Sequence, residues 1–438
     1  MQPTSHLLMT LALFVATHRA AAQVPFQLAS SPNMGSPVNS ITTADVNNDG
    51  KPDLICARSA VNMVTVFTNS GNGLFASNAT YVVGTGPSQV IAADVNNDGQ
   101  PDLITVNDFG NSLTVLTNDG SGSFFLATTL STIPGGIPLS VAAADLNGDG
   151  KPDLICVNSA INSITIWTNR GNGLFASNAT YNAGLQPKHV VAADVNGDGS
   201  MDLIVTEIGN SRLVILTNDG SGGFVLASSP GTALYTDWVA TTDVNRDGRV
   251  DLIVTCLGPD AVEVLTNAGG GIFASNATYS VGAGPVVVAA ADANGDGKVD
   301  LISANSGSRT LTVLTNNGTG IFGSNATFNV VNEVTTLVAA DINGDGRVDL
   351  ISGNSNNGLL TVLTNAATFL PILTLTRSGS SVIVSWPAIW ANWTLQQKTN
   401  LILGNWTSFG GVIGNDGTTK SETNSPPGTS RYFRLSNP

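Results

Sequence analysis

The chain has 438 residues, of which only 11% are charged, and its formal net charge at pH 7 is −14. This length allows two or three domains with a substantial buried core, and the acidity argues against a nucleic-acid partner. The 48 glycines and an apolar content of 42% indicate a turn-rich β protein rather than a disordered chain.

The first segment, residues 1–22, resembles an export signal. Its apolar run LLMTLALFVAT is too short to span a bilayer, and Ala20-x-Ala22 provides a small-residue cleavage site. The segment is atypical because it has His6 but no Lys or Arg before the apolar run; the alternative is a short buried or membrane helix. With no later transmembrane segment, we expect a secreted, extracellular or cell-surface protein.

A repeated loop organises residues 23–365. Seven copies begin at Asp45, Asp94, Asp145, Asp194, Asp243, Asp292 and Asp341, with spacings of 49 residues in five steps and 51 in one. Such a period is typical of an array of identical units. Each unit contains β-branched, alternating runs such as VIAAD, DLITVN and SLTVLTN, separated by turn residues. These features predict an all-β, seven-bladed propeller, with a solenoid as the alternative.

The two ends of the array favour the propeller. The segment VPFQLASS aligns with the fourth strand of the other units, because Phe26 matches Phe75, Phe175, Phe224, Phe273 and Phe322. The seventh unit lacks this fourth segment. We therefore expect an N-terminal strand to complete the last blade and close the ring, which also removes exposed sheet edges.

The loops have the composition of a calcium site. Positions 1, 3, 5 and 9 are always Asp, Asn, Asp and Asp, which are hard oxygen donors. Position 6 is always Gly, and position 7 varies, so that it would contribute its backbone carbonyl. The predicted metal residues of the seven loops are Asp45, Asn47, Asp49, Lys51, Asp53; Asp94, Asn96, Asp98, Gln100, Asp102; Asp145, Asn147, Asp149, Lys151, Asp153; Asp194, Asn196, Asp198, Ser200, Asp202; Asp243, Asn245, Asp247, Arg249, Asp251; Asp292, Asn294, Asp296, Lys298, Asp300; and Asp341, Asn343, Asp345, Arg347, Asp349.

The charge balance agrees with up to seven structural Ca²⁺ ions. Of 31 acidic residues, 21 are loop aspartates, and seven Ca²⁺ would add +14 to the −15 that remains without Arg19. The loops are not EF-hands, because their twelfth position, which is Cys56 in the first loop and Cys156 in the third, never holds the Glu that an EF-hand has. The alternative is a set of Asx turns whose side chains only bind the backbone.

On these D-x-N-x-D-G-x-x-D-L loops and Gly-x-x-Phe turns, residues 24–365 resemble the FG-GAP/VCBS repeats of integrin α-subunit-like propellers. The resemblance implies calcium in the loops and an extracellular binding or adhesion role. Some members of this family are lectins, and a few relatives carry lyase or phospholipase activity.

Residues 366–438 have a different pattern. They alternate apolar and polar residues, with Trp386, Leu395, Trp406 and Phe433 as the expected core of a small β-sandwich. The segment resembles fibronectin-III-like C-terminal domains of exported bacterial proteins, which implies a spacer or surface-attachment role. Trp390 and Trp393 form either an exposed sugar platform or a turn packed on the core.

Catalytic groups are scarce. After removal of the signal the only histidine is His189, and Cys56, Cys156 and Cys256 lie in equivalent strands, where we expect them to be buried and unpaired. No catalytic residue is assigned, and a non-enzymatic protein is expected. The motif SNAT recurs at Asn78, Asn178, Asn276 and Asn325; it is either a strand repeat or, in a eukaryotic secretory pathway, a glycosylation acceptor.

The face opposite the calcium loops is the expected binding face, because the repeats differ most there. Five residues before each loop Asp stand Ser40, Gln89, Ser140, His189, Trp238, Val287 and Thr336. Aromatic rings beside polar groups suit sugars and protein partners, although relaxed loops also drift. The candidate ligand residues of blades 4 and 5 are Lys188, His189, Glu207, Tyr235, Asp237, Trp238 and Asp260.

The expected function is therefore a monomeric module that binds an extracellular glycan or surface protein. The alternatives are a sugar-specific lectin and a lyase-like enzyme that acts on polysaccharides.

Overall fold

The structure, a computed structural model, describes residues 24, 26–71, 73–354 and 356–365, and then 374–378, 381–387, 394–398, 407–408, 413–415, 419–424 and 432–436. The chain divides into two compact units after residue 367. The predicted export signal, residues 1–22, lies outside the described residues. Among the described residues, no helix has the length and apolarity needed to cross a membrane.

The first unit is the predicted seven-bladed β-propeller. Each blade is a four-stranded antiparallel sheet. The strands are, in blade 1, β2 Ser40–Ala44, β3 Asp53–Arg58, β4 Met63–Asn69 and β5 Phe75–Val82; in blade 2, β6 Pro87–Ala93, β7 Asp102–Asn107, β8 Ser112–Asn118 and β9 Phe124–Ser131; in blade 3, β10 Pro138–Ala144, β11 Asp153–Asn158, β12 Ser163–Asn169 and β13 Phe175–Asn182; in blade 4, β14 Pro187–Ala193, β15 Asp202–Glu207, β16 Arg212–Asn218 and β17 Phe224–Ser228; in blade 5, β18 Thr236–Thr242, β19 Asp251–Cys256, β20 Ala261–Asn267 and β21 Phe273–Ser280; in blade 6, β22 Pro285–Ala291, β23 Asp300–Asn305, β24 Thr310–Asn316 and β25 Phe322–Asn329; and in blade 7, β26 Val334–Ala340, β27 Asp349–Asn354 and β28 Thr361–Asn365 with β1 Phe26–Ser30. Two single-turn 3₁₀ helices, Ser59–Val61 and Ser159–Ile161, follow β3 and β11.

The first strand of each blade lies innermost. These strands contact one another in succession around the ring, and β26 contacts β2 to close it. The second strands are buried along their whole length, apart from the half-buried Arg58 at the end of β3, because neighbouring blades cover both of their faces. In the contact between blades 1 and 2, for example, Ile55 and Val66 pack with Val90 and Leu103. The core is therefore a set of layers between blades.

The predicted N-terminal closure is confirmed. Strand β1 pairs antiparallel with β28, with Phe26 opposite Asn365 and Leu28 opposite Leu363. Phe26 is buried and contacts Phe328 of blade 6 edge-to-face, with the ring centroids 5.4 Å apart. The first described strand of the propeller thus supplies the fourth strand of the last blade.

A ring of asparagines joins each blade to the preceding one. Each third strand ends in a buried Asn whose Nδ2 donates to the backbone carbonyl of loop position 2 in the preceding blade, at 2.8–2.9 Å. The seven donors are Asn69, Asn118, Asn169, Asn218, Asn267, Asn316 and Asn365, and their acceptors are Ile342, Val46, Val95, Leu146, Val195, Val244 and Ala293. These hydrogen bonds fix the position of every loop relative to the next blade.

The described strands of the second unit are β29 Thr374–Ser378, β30 Ser381–Pro387, β31 Thr394–Lys398, β32 Thr407–Ser408, β33 Gly414–Asn415, β34 Thr419–Asn424 and β35 Tyr432–Ser436. They form two small antiparallel sheets, ordered β29-β30-β34-β33 and β32-β31-β35. Val384, Trp386 and Leu395 are buried together and Phe433 packs against them, as expected for three of the four predicted core residues. The fourth, Trp406, and the proposed platform residues Trp390 and Trp393 lie outside the described residues.

Candidate functional site

The seven aspartate loops have one common geometry, for which blade 3 serves as the example. Asp145 accepts hydrogen bonds from the backbone N–H of Asp149 through Oδ1 at 3.2 Å and of Gly150 through Oδ2 at 2.8 Å. Asn147 Oδ1 accepts from the same Asp149 N–H at 2.9 Å, and Asp149 Oδ1 accepts from the Lys151 N–H at 3.0 Å. Oxygens of positions 1 and 3 therefore converge on one amide, in the manner of Asx turns.

The tight turn depends on two left-handed residues. Position 6 is glycine in every loop, with φ between 78° and 88°. Position 4 is also left-handed in every loop, and Arg246 adopts φ 63° where the other loops have Asn or Gly. Asn and Gly tolerate this conformation better than other residues, which explains their predominance at position 4.

Position 9 differs from the other loop positions because its carboxylate is buried. Asp153 Oδ2 accepts from the N–H of Leu146 at 3.3 Å, and Oδ1 accepts from the N–H of Asn169 at 2.7 Å. Burial raises the pKa of Asp153, and the carboxylates of Asp149 and Asp145 raise it further. Position 9 thus joins its own loop to the asparagine ring, a role that the loop sequence alone did not indicate.

Burial is likewise the main cause of the raised pKa of the other position-9 aspartates. It brings the pKa of Asp102 and Asp349 to about 6 and that of Asp300 to about 7, with the loop carboxylates of positions 1 and 5 adding to the effect. The three carboxylates of a loop are therefore close enough to repel one another.

Position 7 partly offsets this repulsion. In five loops its Lys or Arg forms an ion pair with the aspartate at position 5, at N–O distances of 2.6–3.6 Å. A cationic side chain cannot be a metal ligand, and this contact gives it a different role beside the site. The pairs are Lys51–Asp49, Lys151–Asp149, Arg249–Asp247, Lys298–Asp296 and Arg347–Asp345.

The donor set fits a hard cation. Within the described residues, no three His, Cys, Asp or Glu side chains form a group that could hold a metal ion, because position 9 is turned toward backbone amides. The side-chain oxygens of positions 1 and 3 nevertheless converge, and that of position 5 is on the same turn. Positions 1, 3 and 5 with the carbonyl of position 7 would hold Ca²⁺, which prefers carboxylate, amide and carbonyl oxygens.

On the opposite face, four of the seven candidate ligand residues come together. The rings of His189 and Trp238 are stacked, with centroids 3.6 Å apart and an interplanar angle of 23°. Lys188 Nζ lies 2.5 Å from Asp237 Oδ1. Thr206 connects the two strands, because its Oγ1 accepts from the His189 N–H at 2.9 Å and donates to the Asp237 carbonyl at 3.1 Å.

Of the other three candidate ligand residues, Glu207 is the last residue of β15, whereas Tyr235 and Asp260 lie in connecting loops. Glu207 accepts from the Leu185 N–H at 2.8 Å and pairs with Arg212. Burial alone would raise the pKa of Glu207, but these hydrogen bonds bring it below its ordinary value. Asp260 accepts from the Gly284 N–H at 2.8 Å, so both acids have structural partners. Tyr235 is exposed.

His189 is buried as a neutral ring. Burial and the adjacent Lys188 ammonium lower the pKa of His189 to about 3, and its Nδ1 has no hydrogen-bond partner. Burial raises the pKa of Asp237 although Lys188 opposes this. Among the described residues His189 is the single histidine, and it is not placed to exchange protons with a substrate at neutral pH.

The variable position five residues before each loop has a structural role that the sequence did not reveal. In four blades its side chain accepts a backbone N–H of the next blade: Ser40 from Val90 at 3.2 Å, Gln89 from Val141 at 2.6 Å, Ser140 from Val190 at 3.4 Å and Thr336 from Ile41 at 3.1 Å. The signal was present, since all four side chains are hydrogen-bond acceptors. Between blades 4 and 5, the stacked rings of His189 and Trp238 are at the position of this hydrogen bond.

The three cysteines are buried and outside any disulfide, as expected. Burial raises the pKa of Cys56 and Cys256 to about 12 and raises that of Cys156 as well. Thiols in this state are poor nucleophiles.

Comparison with known proteins identifies the repeat. The FG-GAP-like repeat model matches residues 45–105, 94–156, 145–205, 194–254, 243–303 and 292–352. A search of curated proteins found no match.

Solved structures share the fold at low identity. BBS1N, in complex with ARL6DN, has a TM-score of 0.59 and 13% identity, covering 80% of this chain and 99% of that one. Virginiamycin B lyase from Staphylococcus aureus has a TM-score of 0.55 and 15% identity, covering 78% of this chain and 99% of that one. Because one of these proteins was solved in a complex and the other is an enzyme, the likeness indicates the fold and not the activity.

Proposed function

Because the chain belongs to the FG-GAP-like repeat family, we propose that it is an exported, calcium-stabilised binding module without enzymatic activity. Its ligand is an extracellular glycan or surface protein. The ligand binds the face opposite the aspartate loops, which we call the 2–3 face. This face is formed by the loops between the second and third strands of each blade and by the segments that connect one blade to the next.

The observation that carries this proposal is that the potentially reactive side chains are buried or engaged in ion pairs. In the described part of the chain, His189 and all three cysteines are buried, while the acids near His189 are engaged with Lys188 and Arg212. Variable loops held by a rigid scaffold are where binding residues commonly lie.

Calcium would act as a structural ion. In each loop, positions 1, 3 and 5 would hold it through side-chain oxygens and position 7 through its carbonyl. Bound only to the native state, it would raise stability by mass action and relieve the repulsion among the loop carboxylates.

The first experiment measures bound metal and thermal unfolding, with and without a calcium chelator. We expect close to seven Ca²⁺ per chain and a large drop in melting temperature after chelation. Little bound metal together with an unchanged melting temperature would refute the calcium part of the proposal.

The second experiment screens the labelled protein, in calcium, against a glycan array and a displayed library of peptides. Saturable binding to one class, without turnover of any polysaccharide offered, is the expected result. Product release from a polysaccharide would refute the non-enzymatic assignment, and the absence of binding in both screens would refute the binding function.

A further inference from the structure

In five blades, the residue immediately before the innermost strand has a left-handed backbone. We call it the link residue. The link residues of blades 2 to 6, with their φ angles, are Gly86 at 70°, Ile137 at 51°, Gln186 at 54°, Tyr235 at 61° and Gly284 at 66°.

Neighbouring loops hold the link residue from both sides. Its N–H donates to a side-chain oxygen in the 2–3 loop of the preceding blade, and its carbonyl accepts an N–H from the 2–3 loop of its own blade. For Tyr235 the partners are Ser211 Oγ at 3.0 Å and the Leu257 N–H at 3.0 Å. In the other four links the side-chain acceptors are Asn62, Asn111, Asn162 and Asp260, and the backbone donors are Asp108, Ser159, Ile208 and Ser306.

Blades 3, 4 and 5 use side chains that this conformation disfavours. Glycine adopts a positive φ without steric conflict, as in Gly86 and Gly284. A β-branched residue such as Ile137 and a bulky one such as Tyr235 are genuine outliers at positive φ. Strained residues of this kind persist where the surroundings fix them, and they cluster at functional sites. The three disfavoured side chains occur in consecutive blades.

These side chains add exposed apolar surface to the 2–3 face. Ile137 is 47% exposed and Tyr235 is 54% exposed, and the residues before two of the links, Leu185 and Leu234, are 44% and 62% exposed. The 2–3 loop of blade 3 hydrogen-bonds to Ile137 and Gln186, and that of blade 4 hydrogen-bonds to Gln186 and Tyr235. The three links are therefore joined in one arc by the loops between them. Exposed apolar groups collected in this way mark an interaction surface.

The charged side chains near the arc have partners within the protein. Lys188 pairs with Asp237, Arg212 pairs with Glu207, and Asp260 accepts the backbone N–H of the next link residue. The arc therefore complements a partner surface that is apolar and uncharged. A glycan needs several hydrogen-bonding groups around an aromatic platform, whereas this arc offers mainly aliphatic side chains and one tyrosine, a combination suited to the apolar centre of a protein interface.

We propose that Ile137, Gln186 and Tyr235, with Leu185 and Leu234, dock an uncharged apolar segment of a protein partner. The proposal rests on the proposed binding function of the 2–3 face and specifies its ligand class. The strained links present the recognising side chains, and glycine at the same positions would present none.

The test replaces strained links by the residue that blades 2 and 6 already use. A double variant, Ile137→Gly and Tyr235→Gly, relieves the disfavoured conformation, so its melting temperature should stay unchanged or rise. The probe is a set of peptides selected on the wild-type protein from a displayed random library. We expect apolar, uncharged peptides whose Kd rises at least tenfold with the double variant. The control, Ile272→Ala, removes an exposed side chain from the turn between β20 and β21 and should leave Kd unchanged.

Four results would overturn the inference. Glycan binding that is lost in the double variant, without peptide binding, would leave the binding function standing and replace the protein partner by a sugar. Self-association in sedimentation velocity that the double variant abolishes would identify a second copy as the occupant. Peptides that bind the double variant as tightly as wild type would show that the links do not recognise them. Failure of both screens would refute the binding function itself.

Discussion

The buried His189 should make the stability of the propeller depend on pH in a way that one substitution removes. Its pKa is lowered from 6.5 to about 3 in the folded chain, chiefly by burial and then by Lys188. Between these two values the unfolded chain binds a proton that the native chain does not, so stability is lost as pH falls from about 6.5 toward 3. At about pH 5, the loss is about 2 kcal/mol relative to neutral pH.

The matched variant is His189→Gln, because Gln89 occupies the equivalent place in blade 2 and accepts the Val141 N–H at 2.6 Å. Urea unfolding at about pH 7.5 and pH 5 should show the wild type losing about 2 kcal/mol more than the variant. Other titrating groups, including the Lys188–Asp237 pair, are present in both proteins and cancel in the comparison. An equal pH dependence in the two proteins would refute the assignment of His189 as a buried neutral ring.

Three further predictions concern the ring and its loops. Asn118→Ala leaves two backbone carbonyls without a donor and one amide without an acceptor. It should therefore lower the free energy of unfolding by about 3 kcal/mol in urea titrations. The control Asn178→Ala, at an exposed site, should have little effect. Asp149→Ala should remove one Ca²⁺ and lower the melting temperature; an unchanged metal content with unchanged melting would contradict the loop assignment. Phe26→Ala should cost about 3–5 kcal/mol and expose the N-terminal strand to limited proteolysis, and equal resistance to protease would contradict the closure.

The blade count and the closure were predictable because both are properties of the repeat. The aspartate motif occurs seven times at a nearly constant spacing, and this number predicts seven blades. The match of Phe26 to the fourth-strand phenylalanines identified the closing strand, which pairs with β28. These features need only comparison of the chain with itself and the alternation of strands and turns.

The contacts between blades were not predictable from the same sequence. Asn118 donates to Val46, 72 residues away, and no local pattern specifies which carbonyl of another blade an asparagine will reach. The left-handed backbone of the link residues was not predictable either, because Ile137 and Tyr235 occupy a position for which the local preference would be glycine. Two neighbouring loops impose that conformation through hydrogen bonds, so tertiary structure overrides the preference of the residue.

The aspartates at positions 5 and 9 of a loop have different structural roles, and only the one at position 5 supports the calcium hypothesis. Asp153 is buried and binds the amides of Leu146 and Asn169, so an aspartate at this position is required by the ring whether or not a cation is present. Its occurrence in all seven loops therefore adds little to the calcium argument. Asp149 is exposed and its Oδ1 accepts from the Lys151 amide, a short local contact that other turns achieve without a carboxylate. Because the ring gives no reason for charge at this place, the calcium hypothesis depends on positions 1, 3 and 5, and the repulsion among these acids is the cost that a bound cation would offset.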